Sequence, residues 1–213
     1  MQPNTVSLGF DTSTPYCVVS VVSGDVILAE ISEEASKNHA ERLMYLIEDT
    51  LTSSKLSLNN LNSIGVGIGP GNFTGVRVSV AAARGLSLAL KIPAFGVSRF
   101  EALCYGYKKN ILCSVNARKE QLYLSEYTNG TFGPNTLHDI DNLPTNKCEY
   151  IIGDQAELLT KKLNIKLLQP IYSSASSIAK IAQKLPMDKT PPKPIYPHYD
   201  TFGHNKNLDK VVS

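Results

Sequence analysis

The chain has 213 residues, of which 42% are hydrophobic, and its formal net charge is +2. It is long enough to bury a substantial core in one large or two small domains. The nearly neutral charge does not by itself indicate a nucleic-acid-binding protein. The cysteines Cys17, Cys104, Cys113 and Cys148 form no C-x-x-C pair, which predicts reduced, buried thiols and a cytoplasmic protein. The sequence also predicts neither a signal peptide nor a membrane span.

The first hundred residues alternate regularly between strand and helix patterns. Apolar runs on either side of Ser23-Gly24-Asp25 predict a hairpin. Asn38 and Glu41 have the spacing of a capped helix start. The predicted elements are strands at 6–10, 16–22, 26–31, 64–68 and 94–97, and helices at 38–51 and 74–90. This β-β-β-α-β-α-β order predicts a compact α/β unit.

The most informative segment runs from Gly65 to Arg77, where glycines stand between a strand and a helix. Such a junction either cradles a phosphate or lets the helix pack closely against another element. The spacing is not G-x-G-x-x-G and no Lys-Ser/Thr pair follows, so packing is favoured. The helix is apolar on nearly every side, which predicts burial on several sides. Gly75, Ser79 and Ala83 stand at i, i+4 and i+8, and they predict a groove for another helix backbone.

The second half of the chain has fewer clear patterns. Strands are predicted at 111–115, 121–127 and 149–152, with Asn129-Gly130 closing the second of them. Helices are predicted at 155–163, capped by Asp154, and at 174–185. From Pro186 onward the proline-rich sequence predicts an irregular tail that frays near its end. The predicted domains are a first lobe over residues 1–103 and a reduced second lobe with the tail over residues 104–213.

The first strand ends in Asp11-Thr12-Ser13, and together with the element order this suggests the actin-like ATPase (ribonuclease H-like) fold. Asp11 could orient water on a hydrated magnesium ion, while Thr12 and Ser13 offer hydroxyl and backbone donors to phosphates. An ordinary polar turn between two strands explains the same three residues. Both readings stay open from the residues alone.

Several motifs together resemble one family, the bacterial TsaB (YeaZ) proteins. They are Leu8 to Thr14, His39-Ala-Glu-Arg-Leu43, Gly69 to Arg77 with the pattern Gly-Pro-Gly-x-Phe-Thr-Gly-x-Arg, Val115 to Tyr123, and Pro194-Ile-Tyr196. The resemblance is dense from about residue 6 to residue 103 and thin beyond residue 128. The Gly-Pro-Gly motif is the most specific of these segments.

The resemblance implies an actin-like fold and a role without catalysis. TsaB-like chains support the catalytic subunit TsaD, which works with the ATPase TsaE to add threonylcarbamoyl to the adenosine beside the anticodon. The tRNAs concerned read codons that begin with A. By this resemblance the chain has a vestigial phosphate loop and no cofactor or metal, it contacts tRNA through the complex, and it forms a homodimer when isolated. The expected partner interface comprises His39, Leu43, Met44, Ile47, Phe73, Gly75, Arg77, Val78, Ser79, Ala82, Ala83 and Leu86.

Departures from the family bear on the alternative functions. Asn116 stands where an Asp is common, so a second carboxylate for magnesium is missing. An independent ATPase or phosphotransferase is therefore disfavoured, and a homodimeric scaffold without a tRNA role stays open. A zinc peptidase is disfavoured because His39 is followed four residues later by Leu43 rather than by a second His.

Overall fold

The computed structural model describes residues 5–34, 39–117, 120–186 and 191–196, which form two mixed β-sheets and five α-helices. The first sheet has the strand order β3-β2-β1-β4-β5, and the second has the order β11-β10-β6-β7-β8 with β9 paired to β7. The strands are β1 Val6–Asp11, β2 Tyr16–Ser23, β3 Val26–Glu34, β4 Ser63–Gly67, β5 Ala94–Val97, β6 Ile111–Asn116, β7 Gln121–Thr128, β8 Thr131–Phe132, β9 Thr136–Asp139, β10 Tyr150–Gly153 and β11 Lys166–Leu167. The helices are α1 His39–Ser53, α2 Phe73–Leu90, α3 Arg99–Cys104, α4 Ala156–Leu163 and α5 Ser174–Ala182.

Every strand and helix predicted in the first hundred residues is present. β1 pairs antiparallel with β2 and parallel with β4, so β1 lies at the centre of the first sheet. α1 and α2 cover one face of this sheet, where Leu8, Phe10 and Ile64 join the buried side chains of α1 in one core. The predicted cap residue Asn38 lies outside the described residues.

The second sheet repeats the topology of the first in a smaller form. β6 lies at its centre, antiparallel to β7 and parallel to β10, as β1 lies between β2 and β4. β8 and β11 have only two residues each, and no helix lies between β9 and β10 in the described residues 140–149. The predicted fold class, an actin-like fold with one complete and one reduced lobe, is confirmed.

Each lobe receives a helix from the other lobe. α3, which follows the last strand of the first sheet, places Phe100 and Cys104 in the core of the second sheet beside Cys113 and Ile152. α5, which follows the last strand of the second sheet, packs across β1, β2 and β4 on the face opposite α1 and α2. A boundary at residue 103 therefore separates the strands of the two lobes, but not their helices.

Two glycines let α5 lie directly on the first sheet. A Cβ atom added to Gly9 would overlap the carbonyl oxygen of Ala175, and one added to Gly65 would lie 2.7 Å from the carbonyl oxygen of Ile178. The helix backbone cannot move away without opening the buried contacts of α5. A hydroxyl contact adds to this packing of α5 on the sheet, since the Oγ atoms of Ser20 and Ser176 lie 2.8 Å apart.

Helix α3 is not among the elements predicted from the sequence, although its start carries a recognisable signal. Ser98 Oγ accepts from the backbone N–H of Glu101, and the Glu101 carboxylate accepts from the backbone N–H of Ser98. This capping box is legible in the sequence as Ser-x-x-Glu. Because the helix has only six residues, it shows too little apolar periodicity to be recognised by pattern.

We expect Gly9→Ala to destabilise the isolated protein, because the added methyl group meets backbone atoms of α5 that cannot rotate away. Overpacking of this kind costs about 1–3 kcal/mol. Gly85→Ala is the matched control, since a Cβ at Gly85 meets nothing within 4 Å and should stabilise α2 by up to about 1 kcal/mol. Thermal unfolding followed by circular dichroism measures both, and equal midpoints for the two variants would contradict the packing described.

Candidate functional site

The turn after β1 packs into α2 rather than opening toward solvent. Thr12 is fully buried, and its backbone N–H donates to Ser79 Oγ at 3.1 Å. The Thr12 hydroxyl donates to the carbonyl oxygen of Gly75 at 2.7 Å, and Ser79 Oγ lies 2.7 Å from Thr12 Oγ1. Because the Thr12 hydroxyl donates its proton to Gly75, the Ser79 hydroxyl is the donor in its contact with Thr12 Oγ1. The donors that Thr12 could offer to a phosphate are therefore already engaged.

Asp11 and Ser13 are closed in by the Gly-Pro-Gly loop. The backbone N–H of Ser13 donates to Asp11 Oδ1 at 2.8 Å, and a Cβ at Gly67 would lie 2.5 Å from the same carboxylate oxygen. The backbone N–H of Asn72 donates to the carbonyl oxygen of Ser13 at 2.7 Å. Asp11 and Ser13 are 2% and 3% exposed. The turn thus functions here as a packed junction, although the buried Ser13 Oγ has no hydrogen-bond partner among the described residues.

An ion pair closes the junction between the lobes. Arg99 Nη2 donates to Asp154 Oδ1 at 2.6 Å, and the backbone N–H of Asn116 donates to Asp154 Oδ2 at 2.8 Å. The backbone N–H of Arg99 also donates to the carbonyl oxygen of Gly69. The predicted capping of α4 by Asp154 is wrong, because its carboxylate is drawn to Arg99 and the N-cap position belongs to Gln155.

A cavity of about 590 Å³ lies beside this ion pair, at the carboxyl ends of β6, β10 and β11. Ligands of open α/β sheets bind at such ends. Its lining includes Asp154 and Glu157. Since Asp154 is paired with Arg99, Glu157 is the carboxylate that would repel the phosphates of a nucleotide there.

The predicted partner interface separates into three groups by burial. The residues buried within this chain are Leu43, Ile47, Gly75, Ser79 and Ala83; those half-buried are His39, Val78, Ala82 and Leu86; and those exposed are Met44, Phe73 and Arg77.

The prediction that Gly75, Ser79 and Ala83 form a groove for another helix is wrong. A Cβ at Gly75 would overlap the carbonyl oxygen of Thr12, and Ala83 lies in the core beneath α1. The small side chains are needed because the chain's own β1 turn approaches α2 here. Packing of the glycine-rich junction, favoured over a phosphate cradle, is confirmed, but the packing partner is internal.

The opposite side of α2 is exposed, contrary to the prediction that the helix is buried on several sides. Leu88 is 83% exposed, and Gly85 and Ala81 are exposed one and two turns before it, respectively. On α1, Met44 and Tyr45 are 46% and 59% exposed. We call these five residues the α1–α2 face. The spacing of Ala81, Gly85 and Leu88 at i, i+4 and i+7 places them on one side of the helix, and this pattern in the sequence could have indicated the exposed face.

A cluster at the start of α2 joins two motifs that are far apart in the sequence. The Arg77 guanidinium lies 3.6 Å from the centroid of the Phe73 ring, and Arg77 Nε donates to the Tyr196 hydroxyl at 3.0 Å. The Phe73 and Tyr196 rings are 5.3 Å apart. The backbone N–H of Ile195 donates to the carbonyl oxygen of Ile68, so residues 194–196 are tied to the Gly-Pro-Gly loop.

Among the described residues, one helix, α2, has the length and composition of a membrane span. This is weak evidence, because helices of folded cores meet the same criterion, and here α2 packs on β4 and β5.

The cysteines do not form a nucleophilic site. All four are free and buried, as predicted. Burial, with a smaller effect of Asp11, raises the pKa of the Cys17 thiol to about 12, and burial raises the pKa of Cys148 to about 11. Since the thiolate is the reactive form, protonated thiols are poor nucleophiles. In the described part of the chain, no three His, Cys, Asp or Glu side chains lie together as a metal site.

Comparison with known proteins shows which family this chain resembles. The model of the family "TsaD: tRNA N6-adenosine threonylcarbamoyltransferase" matches residues 29–185. The tRNA threonylcarbamoyladenosine biosynthesis protein TsaB of Buchnera aphidicola subsp. Schizaphis graminum is 39% identical over 57% of this chain and 60% of its own length. The protein of the same name from Escherichia coli K12 is 34% identical over 56% of this chain and 54% of its own. The matches thus span between half and two thirds of these curated relatives.

A solved structure extends the likeness over the fold. It is described as an uncharacterized protein with similarity to peptidase YEAZ from Pseudomonas aeruginosa. It has a TM-score of 0.72 and 22% identity, and covers 90% of this chain and 99% of its own. At this identity the likeness concerns the fold.

We expect Ser79→Leu to destabilise the monomer, because Ser79 is fully buried and bonded to Thr12. The larger side chain has no space and the Thr12 N–H loses its acceptor, which together cost at least about 2 kcal/mol. Ala81→Leu, two residues further along the same helix and exposed, should change stability by less than about 0.5 kcal/mol. Urea unfolding of both variants measures the difference, and a Ser79→Leu protein as stable as Ala81→Leu would show that Ser79 does not hold the turn.

Proposed function

The chain belongs to the TsaB (YeaZ) family and carries a TsaD-type domain, and from this premise we propose that it is a non-catalytic subunit of a tRNA-modifying complex. The complex adds threonylcarbamoyl to the adenosine adjacent to the anticodon in tRNAs reading codons that begin with A. Its other members are a TsaD-like catalytic subunit and a TsaE-like ATPase. Because the proposed substrate is tRNA, we place the protein in the cytoplasm.

The state of the Asp11 turn supports a role without catalysis. A nucleotide at this turn needs free backbone donors and a metal held by carboxylates. The N–H groups of Thr12 and Ser13 are engaged within the chain, and the second carboxylate in this region, Asp154, is neutralised by Arg99. We therefore regard the turn as a vestigial phosphate loop whose donors now hold α2 in place.

The observation that carries the proposal is the α1–α2 face. Both helices lie on the side of the first sheet opposite α5 and contact each other, so their outward sides are neighbours. Met44, Tyr45 and Leu88 supply exposed apolar area, and such patches mark protein interfaces. Gly85 has open space around it, so a partner helix could approach the backbone of α2 closely. This arrangement fits one half of a helical interface.

We propose that the TsaD-like subunit covers this face. The remaining exposed interface residues, Phe73 and Arg77, lie at the amino-terminal end of α2 and are held by Tyr196. In this arrangement the Arg77 guanidinium is already held in place, and it would contact the partner at the edge of the interface. In the absence of the partner, a second copy of this chain would cover the same surface as a homodimer, because a pair of helices complements itself readily about a two-fold axis.

Depletion of this protein should remove the threonylcarbamoyl modification from tRNAs that decode codons beginning with A. The reason is that the proposed catalytic subunit works only in the assembled complex. Mass spectrometry of nucleosides from depleted cells measures the modification, and re-expression of the wild-type chain should restore it. Modified nucleoside at normal abundance after depletion would contradict the proposed function.

Leu88→Glu should weaken association of this chain with the TsaD-like subunit by roughly tenfold to a hundredfold, since it places a charge in an apolar interface. Leu158→Glu is the control, because Leu158 is an exposed leucine on α4, outside the α1–α2 face. Isothermal titration or sedimentation of the purified pair measures affinity, and circular dichroism verifies folding. If both variants bind as tightly as wild type, the partner does not cover the α1–α2 face.

A further inference from the structure

Lysine and tyrosine side chains line one edge of the second sheet. We propose that this tyrosine–lysine surface, formed by Lys109, Tyr150, Lys166, Tyr105 and Lys184, binds the RNA of the tRNA substrate. The inference rests on the proposed function and names the part of this chain that meets the nucleic acid. It concerns residues of the second sheet, of the α3–β6 connection and of the segment just after α5, none of which belongs to the α1–α2 face.

The parallel strands bring the first group together. Tyr150 is paired with Ile111 on one side and with Lys166 on the other, so the starts of β6, β10 and β11 are aligned. Lys109 Nζ lies 4.4 Å from the centroid of the Tyr150 ring, and Lys166 Nζ lies 6.0 Å from it. Both lysines are exposed while Tyr150 is half-buried. One aromatic ring is thus flanked by two cations at the surface.

A second group of tyrosine and lysine side chains lies at the other end of the α3–β6 connection. Lys184 Nζ donates to the Tyr105 hydroxyl at 2.9 Å and lies 5.2 Å from the Tyr105 ring centroid. The centroids of the Tyr105 and Tyr172 rings lie 5.9 Å apart, with the ring planes tilted by 49°. The hydrogen bond to Tyr105 raises the pKa of Lys184, so its ammonium stays charged at neutral pH.

A cavity of about 570 Å³ lies at the connection that joins the two groups. Its walls include Tyr105 and Tyr107 of the connection and Tyr127 and Phe132 of the β7–β8 hairpin. Cavities of this size hold small organic groups, and an unpaired nucleobase is one of them. The aromatic walls offer stacking, which is worth about 1–3 kcal/mol per base in single-strand recognition.

The local charge favours an anionic ligand. Lys108 is also exposed in the connection, which adds a further cation. The carboxylate that lines the cavity, Glu101, accepts from the backbone N–H and the hydroxyl of Ser98, each at 2.7 Å, and is therefore committed to capping α3. Glu126 is paired with Leu112 and lies on the opposite face of the sheet. Glu149, just before β10, is exposed, and Asp25 lies near enough to Lys184 to help raise its pKa. The four lysines Lys108, Lys109, Lys166 and Lys184 outnumber these two carboxylates.

RNA fits this combination better than an acidic protein does. Phosphates need cations spaced along a surface, and unstacked bases need flat aromatic partners. The surface supplies both within a few ångströms, and it does so twice. Since it shares no residue with the α1–α2 face, the chain can hold its catalytic partner and contact the tRNA at the same time.

The test uses the purified complex of this chain with the TsaD-like subunit of the same cell, and an unmodified tRNA transcript reading a codon that begins with A. Lys109→Ala/Lys166→Ala should lower tRNA affinity about tenfold at low salt. The slope of log affinity against log salt concentration should decrease in magnitude by about 1.5, because each lost phosphate contact removes about 0.7–0.9. Lys161→Ala/Lys162→Ala on α4, which covers the other face of the sheet, is the control and should leave both quantities unchanged.

A second pair of variants separates stacking from charge. Tyr150→Leu should weaken binding roughly fivefold to a hundredfold, whereas Tyr150→Phe keeps the ring and should bind as wild type does. Unchanged affinity and salt slope in the double lysine variant would overturn the inference, as would equal losses in the α4 control. Loss of partner assembly with unchanged tRNA affinity would instead assign the surface to a protein. Failure of the proposed function is distinguished by the depletion experiment, which does not depend on these residues.

Discussion

The contact between α5 and the first sheet determines how the rest of the chain is arranged. Gly9 and Gly65 allow the backbone of α5 to touch β1 and β4 directly, and the helix then buries one whole face of the central strands. Because α5 is attached to the second lobe, this contact fixes the two sheets relative to each other. α3 makes the reciprocal contact with β6. The exchange leaves α1 and α2 on the outer face of the first sheet, with no other helix or strand of the described chain above them.

The same closeness accounts for the proposed role of this fold as a structural support. The β1 turn is drawn against Gly75 and Ser79, and Arg99 reaches both Gly69 and Asp154. These bonds occupy the groups that a phosphate and a metal would otherwise engage. In the proposed role, these groups hold the junction of the two lobes together instead of binding a ligand.

The strands and long helices were predictable because each is set by local periodicity and turn residues. The groups against which these elements pack were harder to predict. The stripe of Gly75, Ser79 and Ala83 indicates close approach of another backbone, and that inference was sound, but the sequence does not say that the backbone belongs to residue 12 of the same chain. Asp154 looks like a cap because Asp favours that position, and only the fold brings Arg99 beside it. The tyrosine–lysine surface depends on the strand register that pairs Tyr150 with Lys166. Neither the β10 nor the β11 sequence predicts this register.

The exchange of helices also bears on how the chain is made. Residues 6–97 contain every strand of the first sheet, yet the helix that covers its second face is encoded at residues 174–182. During synthesis the first lobe therefore emerges with one face of its sheet uncovered until most of the chain has followed. Contacts between such distant segments slow folding, and exposed sheet faces invite aggregation in the interval. A ribosome-bound chaperone, or slow release until residue 182 has left the exit tunnel, would protect this protein more than one whose lobes close independently.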